Sequence, residues 1–164
     1  MPRSRTPQWL TPEESDAWVA VLSMLVLLPP RLDAQLNEDS ELNLFEYLTL
    51  HALSTAPGRS LHMRALAEMT DGSLSRISNV VKRLEQRGWI RREPDPDDGR
   101  STIASLTDHG WAGLQAAAPG HVETVRRYVL EPLTAAQIRT LGAIGLRVRE
   151  RIEADLPPRR LRPG

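Results

Sequence analysis

The stretch from Thr70 to Gly88 constrains this chain more than any other. Thr70-Asp71-Gly72 has the composition of a turn, and from there Leu74, Ile77, Val80, Val81 and Leu84 recur at three- and four-residue spacing, one apolar stripe on a helix. Ser75, Arg76, Ser78, Asn79, Lys82 and Arg83 fall on its other side. Ser73 is suited to cap this helix by accepting from an orphaned backbone amide. Gly88 is suited to end it, because a left-handed terminal residue is easiest without a Cβ. Ahead of the turn, Ser60 is expected to cap a short helix over residues 61–69, with Leu61, Ala65 and Leu66 inward. Two short helices joined by a three-residue turn containing glycine make a helix-turn-helix.

Residues 89–93 and 101–106 have strand composition on either side of Pro94-Asp95-Pro96-Asp97-Asp98-Gly99-Arg100, so they are expected to form a β-hairpin with a long tip, a wing. The rest of the chain reads as helix. Thr11-Pro12-Glu13-Glu14 combines a capping hydroxyl, a proline at the first helical position and a carboxylate at the third. The helix that follows carries Trp18, Val19, Val21, Leu22, Leu25, Val26 and Leu28 over more than one face, and Pro29-Pro30 are expected to kink or break it. A further helix contains Leu42, Leu44, Phe45, Leu48, Leu50, Ala52 and Leu53. From Thr107 the pattern is helical again, with a bend expected at Pro119-Gly120. Thr134 and Gln137 form a capping box for a last helix over residues 135–155.

With 164 residues, 40% hydrophobic and 26% charged, the chain suits one folded domain, or one with an oligomerisation arm. It has no Cys, which excludes a disulfide framework, a Cys-based zinc site and a thiol nucleophile. Its 21 basic residues balance 21 acidic ones, so any cationic surface is local. Lys82 is the single lysine, and Arg is spread over the whole chain, so position counts here and abundance does not. The apolar run over residues 17–28 is too short to cross a bilayer, and it lacks the flanks of a secretory signal, so a cytoplasmic protein without membrane contact is expected. There is no Gly-rich phosphate loop, no His-Glu-x-x-His segment and no Gly-x-Ser-x-Gly elbow, and no cofactor or enzymatic activity is expected. His51, His62, His109 and His121 show no metal-ligating pair at helical spacing, so no metal is expected either.

The order of these parts, with Asp98, Arg100 and Leu106-Thr107-Asp108-His109-Gly110 after the recognition segment, resembles the MarR family of bacterial transcriptional regulators. The resemblance implies a mainly α fold with a small β-hairpin wing, in which a winged helix-turn-helix is joined to N- and C-terminal dimerisation helices. On that pattern residues 1–10 form a flexible arm, 11–41 and 107–156 a helical dimerisation region, 42–106 the DNA-binding domain and 157–164 a flexible tail. Physical reasoning assigns the outward residues. A helix with short polar and cationic side chains outward fits the major groove, where Arg76 and Asn79 suit base edges and Ser73, Ser75, Lys82 and Arg83 suit the backbone. Arg100 suits the minor groove, with Asp98 orienting it through a bidentate pair.

The resemblance further implies a homodimer on a palindromic double-stranded operator, repression as the family default, and release by a small aromatic or anionic effector. Trp18, Leu22, Tyr47, His51 and Trp111 are the candidate lining of the effector cleft. A peroxide-sensing mechanism is excluded by the missing Cys. The alternative is a winged-helix protein-interaction module without sequence-specific DNA binding, since the fold alone does not dictate its use. Charges on the outward face of the recognition helix weigh for DNA, because protein-binding faces favour aromatics and Met.

Overall fold

A computed structural model describes residues 8–155. Most of the expected flexible arm (residues 1–7) and all of the expected flexible tail (157–164) lie outside the described residues. The elements run α1 (Pro12–Ser40), α2 (Leu44–Thr55), β1 (Ser60–His62), α3 (Met63–Met69), α4 (Leu74–Gln86), β2 (Ile90–Pro94), β3 (Thr102–Leu106), α5 (Asp108–Val125) and α6 (Ala135–Asp155). The mainly helical fold with a small antiparallel sheet is the one expected. Two compact units divide the chain between Thr124 and Val125.

In the first unit, α1 starts where the sequence puts it. The amide of Thr11 donates to Glu14 Oε2 at 2.8 Å and the amide of Glu14 donates to Thr11 Oγ1 at 3.2 Å, with Pro12 in the first turn. The break at Pro29-Pro30 does not occur, and α1 runs through both prolines to Ser40. Each proline removes one helical hydrogen bond, but its φ is compatible with a helix, and tertiary packing downstream holds the register. Leu32 and Leu36 are buried there, and Asp33 Oδ1 accepts the amide of Leu44 at 2.5 Å. Glu41, left-handed at φ 53°, ends the helix. By length and composition alone α1 could span a membrane, with an 18-residue window of mean hydropathy 1.4, because the helix extends well past the short apolar run.

The core gathers Leu36, Leu42, Leu50 and Leu53 with Leu66, Ile77, Val81 and Leu84, all without exposed surface. It is built where α1, α2, α3 and α4 meet, which fixes the recognition helix to α2. The predicted helix over residues 61–69 is shorter than expected. Ser60, read as its cap, opens β1 instead, paired antiparallel with β3 in register Ser60↔Ser105 and His62↔Ile103. Ser60 Oγ meets Ser105 Oγ at 2.8 Å, and α3 starts at Met63 with no side-chain cap. The sheet order is β1-β3-β2, with Ile90↔Leu106 at the root of the hairpin.

The Leu-Thr-x-x-Gly segment joins this hairpin to α5. Thr107 Oγ1 donates to the carbonyls of Gly88 (2.7 Å) and Trp89 (3.1 Å), its amide also donates to Trp89 O, and Oγ1 accepts the amide of Gly110. Gly110 lets the helix lie directly against the Trp89 carbonyl. The helix continues through Pro119, where a bend was expected. Gly120 serves close packing instead, since a Cβ there would press on Gln35 and Asp39 of α1.

The second unit begins at Val125 with a π-helical turn, Arg126–Leu130, followed by α6. The predicted capping box opens α6: the amide of Thr134 donates to Gln137 Oε1 at 2.8 Å and that of Gln137 to Thr134 Oγ1 at 3.3 Å. None of the residues of α6 is buried within the chain, and Ile144, Leu146, Val148 and Ile152 are each more than half exposed.

Candidate nucleic-acid interface

Helix α4 is laid down by its own sequence. Ser73 Oγ accepts the amide of Arg76 at 3.2 Å, Gly88 takes the left-handed conformation at φ 72°, and Ile77, Val80, Val81 and Leu84 are buried. Ser75, Arg76, Asn79, Lys82 and Arg83 are exposed, as their spacing requires, and Ser78 is half-buried. Leu74 departs from the pattern. It belongs to the apolar stripe by spacing, yet it is 52% exposed.

Two of the outward cations are held by α2. The Arg76 guanidinium lies 3.7 Å from the centroid of the Phe45 ring. Arg83 Nε donates to Glu46 Oε1 at 2.8 Å, and the other oxygen of Glu46 accepts the amide of Asn43 at 3.0 Å. Glu46 is buried, so this single carboxylate caps α2 and tethers the last turn of α4. Asn43-Leu44-Phe45-Glu46 carries the capping-box spacing, a signal that placed this cap within reach of the sequence. A cleft of about 540 Å³ opens between α1, α2 and α4, lined by Pro29, Asp33, Leu44, Leu48, Asn79 and Arg83 among others.

A second groove, of about 580 Å³, runs between α3, α4 and the wing. Its lining includes Leu74 and Ser78 of α4, His62 and Arg64, and Asp98 and Arg100 of the wing tip. His62 and Arg64 are site candidates the sequence reading missed, for they come into the groove only because β1 pairs with β3. The tip is closed by its own bonds. The amide of Asp95 donates to Ser101 O at 2.9 Å, and the amide of Ser101 donates to Asp98 O at 2.8 Å. His62 Nδ1 lies 3.1 Å from Ser101 Oγ and 3.7 Å from Asp95 Oδ2. The bidentate pair expected between Asp98 and Arg100 does not form. Asp98 Oδ1 accepts the backbone amide of Arg100 at 3.1 Å instead, a turn of the kind aspartate favours, which leaves the Arg100 side chain outward. At the other end of the wing, Arg92 Nε donates to Glu85 Oε2 at 2.9 Å, and that hydrogen bond holds the Glu85 carboxyl below the usual carboxylate range.

The five residues read as an effector lining are dispersed. Trp18 and Leu22 are exposed on α1, and His51 is exposed on α2. Tyr47 is buried with its ring centroid 4.3 Å from that of His121, and burial pushes its phenol up. Trp111 is half-buried under the Arg59 guanidinium, at 4.7 Å. None of the five lines either cleft. Burial lowers the His121 imidazole, and the charge of His51 lowers it further; His121 Nδ1 and Gln35 Oε1 are buried without a hydrogen-bond partner. Among the described residues no group of three or more His, Asp or Glu gathers as metal ligands.

Comparison with known proteins places this geometry. Residues 41–101, the stretch from α2 to the wing tip, match the model of the MarR family. The chain is 39% identical to Sco3205 of Streptomyces coelicolor, a MarR family transcriptional regulator solved in complex with DNA, with a TM-score of 0.86 over 94% of this chain and 95% of that one. It is 31% identical to AbsC, another MarR family regulator of Streptomyces coelicolor, with a TM-score of 0.85 over 91% of this chain and 100% of that one. Among curated proteins it is 34% identical to the HTH-type transcriptional repressor Mb2911 of Mycobacterium bovis, over 69% of this chain and 78% of that one. Against several other curated relatives the chain spans about half of their length. The match in sequence and architecture over nearly the whole of two solved regulators shows that the chain belongs to the MarR family of winged-helix transcriptional regulators, which are not enzymes.

Proposed function

We propose that this chain acts as a homodimer that binds a palindromic operator in double-stranded DNA, represses transcription there, and is released by a small aromatic or anionic effector. The observation that carries the reading is the shared groove of α4 and the wing, where Arg64 and Arg100 flank the exposed amino end of the recognition helix. Two exposed arginines in one groove beside a helix that fits the major groove offer partners to a phosphate backbone, with Glu68 and Asp98 as the acidic residues of the same lining. Arg76 and Asn79 read base edges, with Arg76 leaving the Phe45 ring to do so. Ser73, Ser75, Lys82 and Arg83 hold phosphates, and Arg100 enters the minor groove from a tip shaped by Asp98. The solved DNA complex of Sco3205 and the repressor name of Mb2911 support the reading.

Dimerisation is supported by apolar surface. Trp18, Val19, Val21, Leu22, Leu25 and Val26 of α1 are exposed within the chain, as are Ile138, Ile144, Leu146, Val148 and Ile152 of α6. Such patches exceed what a monomer leaves in water. Residues 11–41 and 107–156 form the dimerisation region and 42–106 the DNA-binding domain, in a cytoplasmic protein. The effector contacts Trp18, Leu22, Tyr47, His51 and Trp111, which a second copy completes into a cleft.

Selection of bound duplexes from a random library by the purified protein, at 50 and 200 mM salt, tests this. An inverted repeat with half-sites one DNA turn apart is expected, with affinity falling by about three to five decades between the two salts. Recovery of unordered sequence would overturn specific DNA binding, and a monomer in light scattering at micromolar concentration would overturn the dimer.

A further inference from the structure

Leu74 is the first residue of α4 and the exception on its apolar stripe. Three residues on, Ile77 is fully buried, whereas Leu74 presents half of its surface to solvent. It lines the groove that also holds Arg64, Ser78 and Arg100. Its half-exposed isobutyl group stands at the amino end of the helix that the reading above places in the major groove, where recognition helices reach base edges. Its neighbours Ser75 and Arg76 can donate hydrogen bonds to bases or phosphates; Leu74 cannot. In the major groove the apolar feature that complements such a side chain is the C5-methyl group of thymine, the one base substituent there that neither donates nor accepts.

We propose that Leu74 is a specificity-determining residue that reads one thymine in each half-site through its C5-methyl group. The inference rests on the DNA-binding reading above. It assigns an apolar contact at a fixed place beside the hydrogen bonds made by Arg76 and Asn79, and it favours thymine over cytosine at that place without any hydrogen bond to the base.

Replacing thymine by deoxyuridine removes the methyl group and leaves base pairing intact, which makes the contact measurable. Each thymine of the selected operator is replaced in turn, symmetrically in both half-sites, and affinity for the full-length protein is measured at fixed salt. Burial of one methyl-sized group corresponds to about a fourfold change in affinity, so a symmetric pair of contacts corresponds to about fifteenfold. One position is expected to show a loss of this order. With Leu74→Ala the thymine operator binds more weakly, and deoxyuridine at that position costs nothing further, while any other sensitive position keeps its sensitivity. Leu74→Val is measured alongside and retains part of the effect. Thermal stability of both variants stays near that of the parent, because the side chain is exposed. A flat deoxyuridine scan in a protein that binds its operator, or a sensitivity that survives in Leu74→Ala, overturns the thymine contact alone. Absence of specific binding by the unmodified protein overturns the DNA-binding reading and this inference with it.

Discussion

Replacing Gly110 by alanine sets one methyl group against the root of the wing. A Cβ at that position would collide with the carbonyl oxygen of Trp89, lie 2.8 Å from its carbonyl carbon and 2.9 Å from Cδ1 of Leu106. Two of these three atoms are backbone and cannot rotate aside. Relief therefore requires α5 to withdraw from the hairpin, which stretches the bonds from the Thr107 hydroxyl and amide to Gly88 O and Trp89 O. Overpacking of this kind costs about 1–3 kcal/mol. Weakening two of the hydrogen bonds adds about 1 kcal/mol each at most. Against this, alanine gains about 1 kcal/mol over glycine in a helix interior. The net expectation is a loss centred on roughly 2 kcal/mol. Urea unfolding followed by tryptophan fluorescence, at fixed protein concentration, reads it as a lower midpoint with an unchanged slope. Gly99→Ala, at a wing-tip position with no atom within 4 Å of the added Cβ, is the control and should stay within about 0.5 kcal/mol of the parent. If Gly110→Ala is as stable as the parent, or more stable, helix propensity has won and the close approach to Trp89 is not what this glycine provides.

Arg87→Ala removes two bonds to the end of α1, to Glu41 O at 2.9 Å and Ser40 O at 3.2 Å, and is expected to lower stability by about 2 kcal/mol in the same assay. Arg87→Lys should recover only part, since an ammonium cannot both fork between two carbonyls and lie over the Trp89 ring. His121 has its folded pKa below the ordinary imidazole value of 6.5, so the unfolded chain binds the extra proton first. Its contribution is intact above pH 6.5 and is lost as pH falls from there toward the folded value; urea midpoints at pH 7.5 and 5.5 should differ less in His121→Gln than in the parent. Arg100→Ala should weaken operator binding at least tenfold in a gel-shift titration while leaving the melting temperature within a degree or two, because its side chain is exposed.

What the sequence revealed and what it concealed divide along physical lines. Caps and turns are local, so Thr11 with Glu14, Ser73, Gly88, and Thr134 with Gln137 are all where the residues put them. The hairpin is nearly so. Strand β1 was hidden because three residues have no periodicity, and Ser60 becomes a strand residue only by meeting Ser105, 45 positions away. The proline pair misled because the local cost is legible and the compensating burial of Leu32 and Leu36 is not. At the candidate interface the outward residues of α4 followed from spacing alone. Spacing says nothing of what a neighbouring helix offers, so the Phe45 ring under Arg76 and the Glu46 carboxylate on Arg83 could not be foreseen, and Leu74 looked like core.

Arg87 and Trp89 stand two residues apart and hold two different helices. Arg87 grips the carboxyl end of α1, whose own last turn contains no basic residue, and the Trp89 carbonyl carries the start of α5 through Thr107. Between them lies only Gly88, in a left-handed conformation that glycine takes without steric penalty. The carboxyl end of α1, the foot of α4 and the root of the wing are thus tied together within three consecutive residues, so a substitution at any one of the three loosens an anchorage that the other two share.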